Sequence, residues 1–184
     1  GDQDAADIVA EAVQKCRKVK PVIVSMGYVA ASGGYWISTD ADAIVAAPNT
    51  ITASIGVIGG WFYNKGLKDS LGLSTDFVKR GKMADFSFGM RLPLVNMSLP
   101  DRNLTEYEVS KMKTIFDKIY SDFITKTAAE RNLTKEEVES LAQGRVWSGR
   151  DALRLKLVDH LGGLDKALSI AKEKGGIKDN NYRI

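Results

Sequence analysis

The sequence is poor in the residues that fix a chain by covalent or metal chemistry. Cys16 is the one cysteine among 184 residues, so no internal disulfide can form and no cysteine-built metal cluster is present. His160 is the one histidine. A Ser-His-Asp triad would have to use it, yet its place just before Gly162-Gly163 reads as a turn at the surface. An excess of one charge is also missing. The 26 basic and 23 acidic residues leave a net charge of only +3, with no block of like sign. That excludes the basic footprint of a nucleic-acid binder. No apolar run approaches the roughly 20 residues of a membrane helix, and no secretory signal pattern opens the chain. Internal repeats and low-complexity segments are absent. Gly1-Asp2-Gln3-Asp4 runs directly into a helical pattern with no preceding strand, as at a cut N-terminus.

What is present is a core-forming chain, 44% hydrophobic. Its length suits one domain, expected over residues 1–174, with 175–184 as a loosely ordered tail. Ala5, Ile8, Val9, Ala12, Val13 and Cys16 recur at helical spacing and predict an amphipathic helix over residues 4–18, capped by Asp2 or Asp4. Pro21 stops it, and the β-branched run 22–26 predicts a buried strand. Further strands are expected at 42–47, 51–58 and 74–79, and a short helix at 64–71 before Gly72. Residues 80–102 lack periodicity but carry Met83, Phe86, Phe88, Met90, Leu92, Leu94 and Met97. So apolar a stretch reads as facing a partner or substrate, or as folding over its own core. Thr105 and Glu108 form a capping-box pattern at the head of a long helix to Arg131. Thr134 with Glu137 repeats it, Ser148 or Asp151 opens another helix, and a last one is predicted over Leu164–Lys174. Strands alternating with helices predict an α/β fold with a mostly parallel sheet flanked by helices.

The stretch with most chemical content is Tyr28-Val29-Ala30-Ala31-Ser32-Gly33-Gly34-Tyr35-Trp36. It places a serine at the corner between a strand and a helix. There its hydroxyl can be presented while the first amides of the helix face a developing oxyanion. Ala30, Ala31, Gly33 and Gly34 leave room for a substrate backbone. The plainer reading is that Ser32 is a helix cap. Residue 30 is Ala, so this is not the G-x-S-x-G elbow of α/β-hydrolases.

Four stretches in order carry a resemblance. Ala30-Ala31-Ser32-Gly33-Gly34-Tyr35-Trp36-Ile37-Ser38 is followed by Thr52-Ala53-Ser54-Ile55-Gly56-Val57-Ile58-Gly59. Then come Ala142-Gln143-Gly144-Arg145-Val146-Trp147-Ser148-Gly149-Arg150-Asp151-Ala152 and Leu157-Val158-Asp159-His160-Leu161-Gly162-Gly163-Leu164-Asp165-Lys166-Ala167. Together they resemble the bacterial signal peptide peptidase A family over residues 1 to about 172. The resemblance implies a Clp protease/crotonase-like fold and a serine peptidase with a Ser/Lys dyad, needing no cofactor or metal. It implies hydrophobic peptides, such as signal peptides left in the membrane, as substrates, and self-association into rings. It also implies a site at the bacterial cell membrane, outside the cytoplasm, with the anchor in a segment not in this chain.

A serine nucleophile needs a base, and a lysine serves if burial lowers its pKa. By resemblance, Ser32 is the nucleophile, Ser54 the second serine that orients the lysine ammonium, and the Gly33 N–H an oxyanion donor. Gly1 matches the last glycine of a pair that supplies the other donor. Short members carry the base after a strand in a Gly-x-x-Lys pattern. The matching stretch here is Val78-Lys79-Arg80-Gly81-Lys82-Met83-Ala84-Asp85, with Ala84 where lysine belongs. In double-length members the N-terminal half supplies the lysine and the C-terminal half the serine. The chain therefore reads as the serine-bearing half, with Lys82 as the rival base. The alternatives from other classes are an inactive ring-assembly module of the same fold and an acyl-CoA enzyme of crotonase type. Ala53, Ile55 and Val57 are expected to line a pocket for small or apolar side chains.

Overall fold

The structure, a computed structural model, describes residues 2–92 and 97–178, with backbone alone at 91, 92, 97 and 98. It divides into two compact units, Gly1–Val57 with Ile119–Ile184, and Ile58–Lys118.

The first unit begins with α1, Gln3–Arg17, capped by the Asp2 carboxylate, which accepts from the Ala5 amide at 2.8 Å. Helix and cap are as predicted, but the inward face is not the expected one. Ala10 is buried, whereas Ile8 and Val9 are exposed. The inner side docks through polar groups. Gln14 Nε2 donates to Asp40 at 2.8 Å, and Arg17 pairs with Asp42 and Glu130. Periodicity locates an apolar stripe but not which side the tertiary fold covers.

Two three-stranded sheets take the place of one. In the first, β1 (Ile23–Met26), β3 (Ala43–Ala46) and β8 (His160–Leu161) lie parallel in the order β1-β3-β8. His160 is thus a half-buried strand residue facing Val45 in register, not a surface turn. In the second sheet, β2 (Val29–Ala31) runs parallel to β4 (Ile51–Ala53), and β7 (Val146–Ser148) pairs antiparallel with β4. Gly27 and Tyr28 alone separate β1 from β2. The buried Thr50 hydroxyl fastens this step, donating to the Gly27 carbonyl at 2.8 Å and accepting from the Ala47 amide at 3.0 Å. The predicted strand 51–58 ends early because Ala53 and Ser54 take positive φ, 63° and 51°.

Strand β3 is buried on both faces, as a central parallel strand must be. Ile44 and Ala46 join the main core with Met26, Tyr35, Phe123, Val138 and Leu157. Ala43 and Val45 pack with Ala167 and Ile170 of the last helix, α7, Leu164–Lys174. The long helix α4, Glu106–Arg131, gives the first unit its residues from Ile119 onward, and there Phe123, Ile124, Thr127 and Ala128 are buried. Thr134 and Glu137 close a reciprocal capping box on α5, Lys135–Leu141, and the Ser148 hydroxyl accepts from the Asp151 amide at the head of α6, Gly149–Arg154.

The second unit holds α3, Lys65–Leu71, ended by Gly72 at φ 62°, and the hairpin of β5 (Gly89–Leu92) and β6 (Met97–Pro100). Gly89 faces Pro100, and a β-carbon there would lie 2.0 Å from the Leu99 carbonyl, so only glycine fits. The predicted strand 74–79 does not form, and these residues are exposed. Of the apolar stretch 83–97, Phe86 packs on Trp61 and Phe88 on Phe77, while Met83 and Phe88 stay exposed; Leu94 lies outside the described residues.

This unit is organised by charge. Arg102 makes paired hydrogen bonds of 2.8–2.9 Å to both Asp85 and Glu108, and Lys79 adds an ion pair to Asp85 at 3.0 Å. Both carboxylates are buried, Glu108 completely. Hydrogen bonding from Arg102 holds Glu108 at a pKa of about 2 and Asp85 well below the usual carboxylate range, with Lys79 assisting at Asp85. Depressed folded values stabilise the fold above the unfolded pKa values of about 4 and lose that effect as pH falls toward about 2. Thermal unfolding midpoints are therefore expected to fall steeply between about pH 5 and 2. An Arg102→Met variant, already less stable at neutral pH, should show a flatter acid limb. An unchanged limb would mean this cluster does not set the acid sensitivity.

Candidate active site

Strand β2 delivers Ser32, and α2, Gly33–Trp36, begins at the next residue. Ser32 occupies the cap position without capping. Its φ and ψ are 54° and −119°, and its side chain makes no cap hydrogen bond. Asp2, Thr134 and Ser148, by contrast, sit in extended backbone and do cap. A serine at positive φ costs on the order of 1–3 kcal/mol and persists only when its surroundings hold it.

The surroundings are specific. The Ser32 amide donates to the Ala53 carbonyl at 2.7 Å, which continues the β2–β4 ladder one step past Ala31–Ala53. The Ser32 carbonyl accepts from the Tyr35 and Trp36 amides, both at 2.9 Å, closing α2. Tyr35 is completely buried, and its hydroxyl donates to the Leu157 carbonyl at 2.8 Å. Burial, together with the nearby Asp159 carboxylate and against the Arg131 charge, pushes that hydroxyl well above its ordinary pKa, so it remains a donor.

Ser54 follows the Ala53 carbonyl that holds Ser32, so the sheet brings the two serines to the same ends of adjacent strands. Ser54 has a clamp of its own. Its amide donates to the Arg145 carbonyl, and the Gly144 amide donates back to the Ile55 carbonyl, both at 2.9 Å. Gln143 and Gly144 reach this position through positive φ, 60° and 75°. Gly56 lies so close that a β-carbon there would meet the Gly144 backbone at 2.8 Å. The sequence motif Ala142–Ala152 thus includes the support for Ser54, a role the motif alone did not reveal. Tyr120 adds to it, its hydroxyl accepting from the Gln143 amide and donating to Glu139.

Near Tyr35 lies the pair of Arg131 and Asp159. Arg131 Nη2 and Nη1 approach the Asp159 oxygens at 2.7 and 3.1 Å, Arg131 Nε donates to the Lys156 carbonyl, and Asp159 accepts from the Ile44 amide at 2.7 Å. Burial opposes the charged carboxylate, but the Arg131 bonds and charge outweigh it, and the Asp159 pKa is lowered. Both the pair and the Tyr35 bond reach the 156–159 turn, so strand β3, helix α4 and helix α2 are joined there.

The expected pocket residues are placed differently. Ala53 and Ile55 are completely buried in the main core and cannot line an open pocket, which leaves Val57 half-buried. The candidate lysine belongs to the other unit. Lys82 is exposed, with its ammonium 5.5 Å from the centre of the Tyr107 ring, and Ala84 is exposed beside the buried Asp85. Gly1, the expected second donor, lies outside the described residues. Among the described residues no His/Cys/Asp/Glu group could hold a metal ion, and no helix is long and apolar enough to cross a membrane.

Comparison with known proteins sets this geometry in context. The chain is 36% identical over 180 residues to the chloroplastic serine protease SPPA of Arabidopsis thaliana and 38% identical over 180 residues to Protease 4 of Salmonella typhi. These matches cover 98% and 97% of this chain but 25% and 27% of those proteins, so the chain spans about a quarter of their length. A solved structure of the 1510-N membrane-bound stomatin-specific protease, a serine-to-alanine mutant, superposes with a TM-score of 0.52 at 16% identity, over 92% of this chain and 63% of that one. That likeness concerns the fold, which is α/β and Clp protease/crotonase-like. The family model for peptidase family S49 matches residues 14–178, and the chain belongs to that family.

Proposed function

We propose that this chain is the serine-bearing part of a serine endopeptidase, with residues 1–174 acting as one peptidase domain. The observation that carries the reading is the backbone of Ser32. A serine held at φ 54° with no capping bond is an energetic cost that a purely structural cap would not impose. In the mechanism that fits, a neutral lysine takes the Ser32 proton as Oγ forms a bond to the scissile carbonyl carbon. The Gly33 N–H, among the first helix amides that lack an intrahelical acceptor, faces the oxyanion. The lysine then protonates the departing amine as the C–N bond breaks, and water cleaves the acyl-serine by the reverse route. Ser54 orients the lysine ammonium.

The base comes from a segment outside this chain, because Ala84 stands where lysine belongs. The substrates are hydrophobic peptides, such as signal peptides left in a bacterial membrane. The protein assembles into a ring outside the cytoplasm, anchored through a segment outside this chain. No cofactor takes part. A fluorogenic peptide with an apolar residue before the scissile bond tests the division of labour. The 184-residue chain alone is expected to be inactive. Activity that Lys82→Ala abolishes would make the chain a complete enzyme and refute the shared dyad.

The strain at Ser32 gives a second expectation. Glycine adopts positive φ freely but loses about 0.5–1 kcal/mol more backbone entropy on folding, less than the strain of about 1–3 kcal/mol. Ser32→Gly should therefore be more stable than the parent by about 1 kcal/mol. Ser148→Ala, at a cap that is used, should lose about 1 kcal/mol. Denaturant unfolding of both variants measures this. Destabilisation by Ser32→Gly would show that the corner is not strained.

A further inference from the structure

Helix α1 carries an apolar strip that nothing in the described chain covers. Ala5, Ile8, Val9 and Ala12 lie three or four residues apart on one side and are exposed, Ile8 at 70% and Val9 at 45%. Cys16, half-buried, extends the row. A single exposed isoleucine needs no explanation, but a continuous row on one helix does.

Charge along the helix is segregated. Asp2, Asp4, Asp7 and Glu11 occupy the first part, and Lys15, Arg17 and Lys18 the last. This order suits the helix dipole, and it also decides how two such helices can meet. Side by side in the same direction they would set like charges together. In opposite directions, Asp4 of one helix comes beside Lys15 and Lys18 of the other, twice over by symmetry. Asp4 and Lys15 border the apolar strip on the same flank. The contact Lys15 already makes, to Glu11 at 3.4 Å, is fully at the surface and readily exchanged.

We propose that the outer face of α1 is a two-fold contact between copies of this chain, the helices antiparallel. The register that superposes the strips sets Ala5 against Cys16 of the second copy and Val9 against Ala12. The small side chains of Ala5 and Ala12 let the axes approach toward the short end of the usual 8–10 Å range. One helix face buries less than the roughly 1,000 Å² of a stable interface. The contact is therefore weak alone, with a dissociation constant of roughly 10 µM or above. It is isologous, pairing two copies, and is separate from the ring contacts proposed above. The inference does not depend on the peptidase reading.

Disulfide trapping in the purified protein tests it. In the proposed register the two native Cys16 thiols stand about 16 Å apart along the helix axes, beyond disulfide reach. Ala5→Cys places a thiol against Cys16 of the second copy. Mild oxidation is expected to convert Ala5→Cys, but not the parent, into a covalent dimer on a non-reducing gel. Adding Ile8→Glu, at an exposed position that the fold does not use, should abolish the cross-link. Sedimentation should show the parent's mean mass rising with concentration and that of Ile8→Glu rising less. Cross-linking of the parent through Cys16 would indicate parallel pairing and overturn the proposal. So would failure of Ala5→Cys to cross-link, or cross-linking and mass unaffected by Ile8→Glu, which would assign the face to a different partner.

Discussion

Ser32→Ala in the whole protein is expected to lower the turnover number for peptide cleavage by about 10⁵-fold, with KM nearly unchanged. The methyl group cannot form the acyl bond, while the backbone that cradles the peptide stays in place. The small effect on KM follows because Ser32 is held by its amide and carbonyl, in bonds to Ala53, Tyr35 and Trp36 that alanine retains. Stability should hardly change either, since the hydroxyl caps nothing. A lost reaction in an equally stable protein separates a nucleophile from a structural serine. A cap would give the opposite pair of results, kept activity and about 1 kcal/mol of lost stability. Steady-state kinetics beside urea unfolding of the same variant decide the matter.

The second large effect concerns stability. Arg131→Met is expected to destabilise the fold by about 2 kcal/mol, the cost of removing one partner from a half-buried, charge-assisted pair whose Asp159 side chain is 32% exposed. The Arg131 side chain is 8% exposed. Its loss would leave the half-buried Asp159 carboxylate with the Ile44 amide as its hydrogen-bond donor among the described residues. It would also remove the donor to the Lys156 carbonyl. The Asp159 pKa, now lowered by Arg131 against the effect of burial, should then rise. Adding Asp159→Asn to the variant should recover part of the loss, since the neutral amide can still accept from Ile44 and carries no charge to bury. Urea unfolding of the two single variants and the double variant measures the coupling. Additive losses would show that the pair acts as two separate surface contacts.

The helices were legible where local chemistry decides them. Leu164–Lys174 falls at its predicted bounds, Gly72 ends α3 in the left-handed conformation that glycine favours, and Thr134 with Glu137 forms the expected reciprocal cap. Decisions made at long range were not legible. The periodicity of α1 marked an apolar stripe, but Asp40, Asp42 and Glu130 turned the opposite side inward. Residues 74–79 have strand composition but no ladder partner, and a strand needs one. The hairpin at Gly89 and Pro100 was hidden in a stretch without alternation. One parallel sheet became two because Thr50 pins a two-residue step that composition does not mark. Around Ser32, the corner between strand and helix could be read from its small neighbours and from the order of four stretches. Its backbone strain, the clamp from Gly144 and Arg145 on Ser54, and the Tyr35 anchor could not. They depend on contacts between residues 20 to more than 100 positions apart.

The most direct measurement is to treat the whole protein with an electrophilic serine-reactive peptide probe and locate the adduct by mass spectrometry. One adduct per chain is expected, on Ser32, lost in Ser32→Ala and suppressed by an apolar peptide. An adduct on another residue, or full labelling of Ser32→Ala, would contradict Ser32 as the nucleophile.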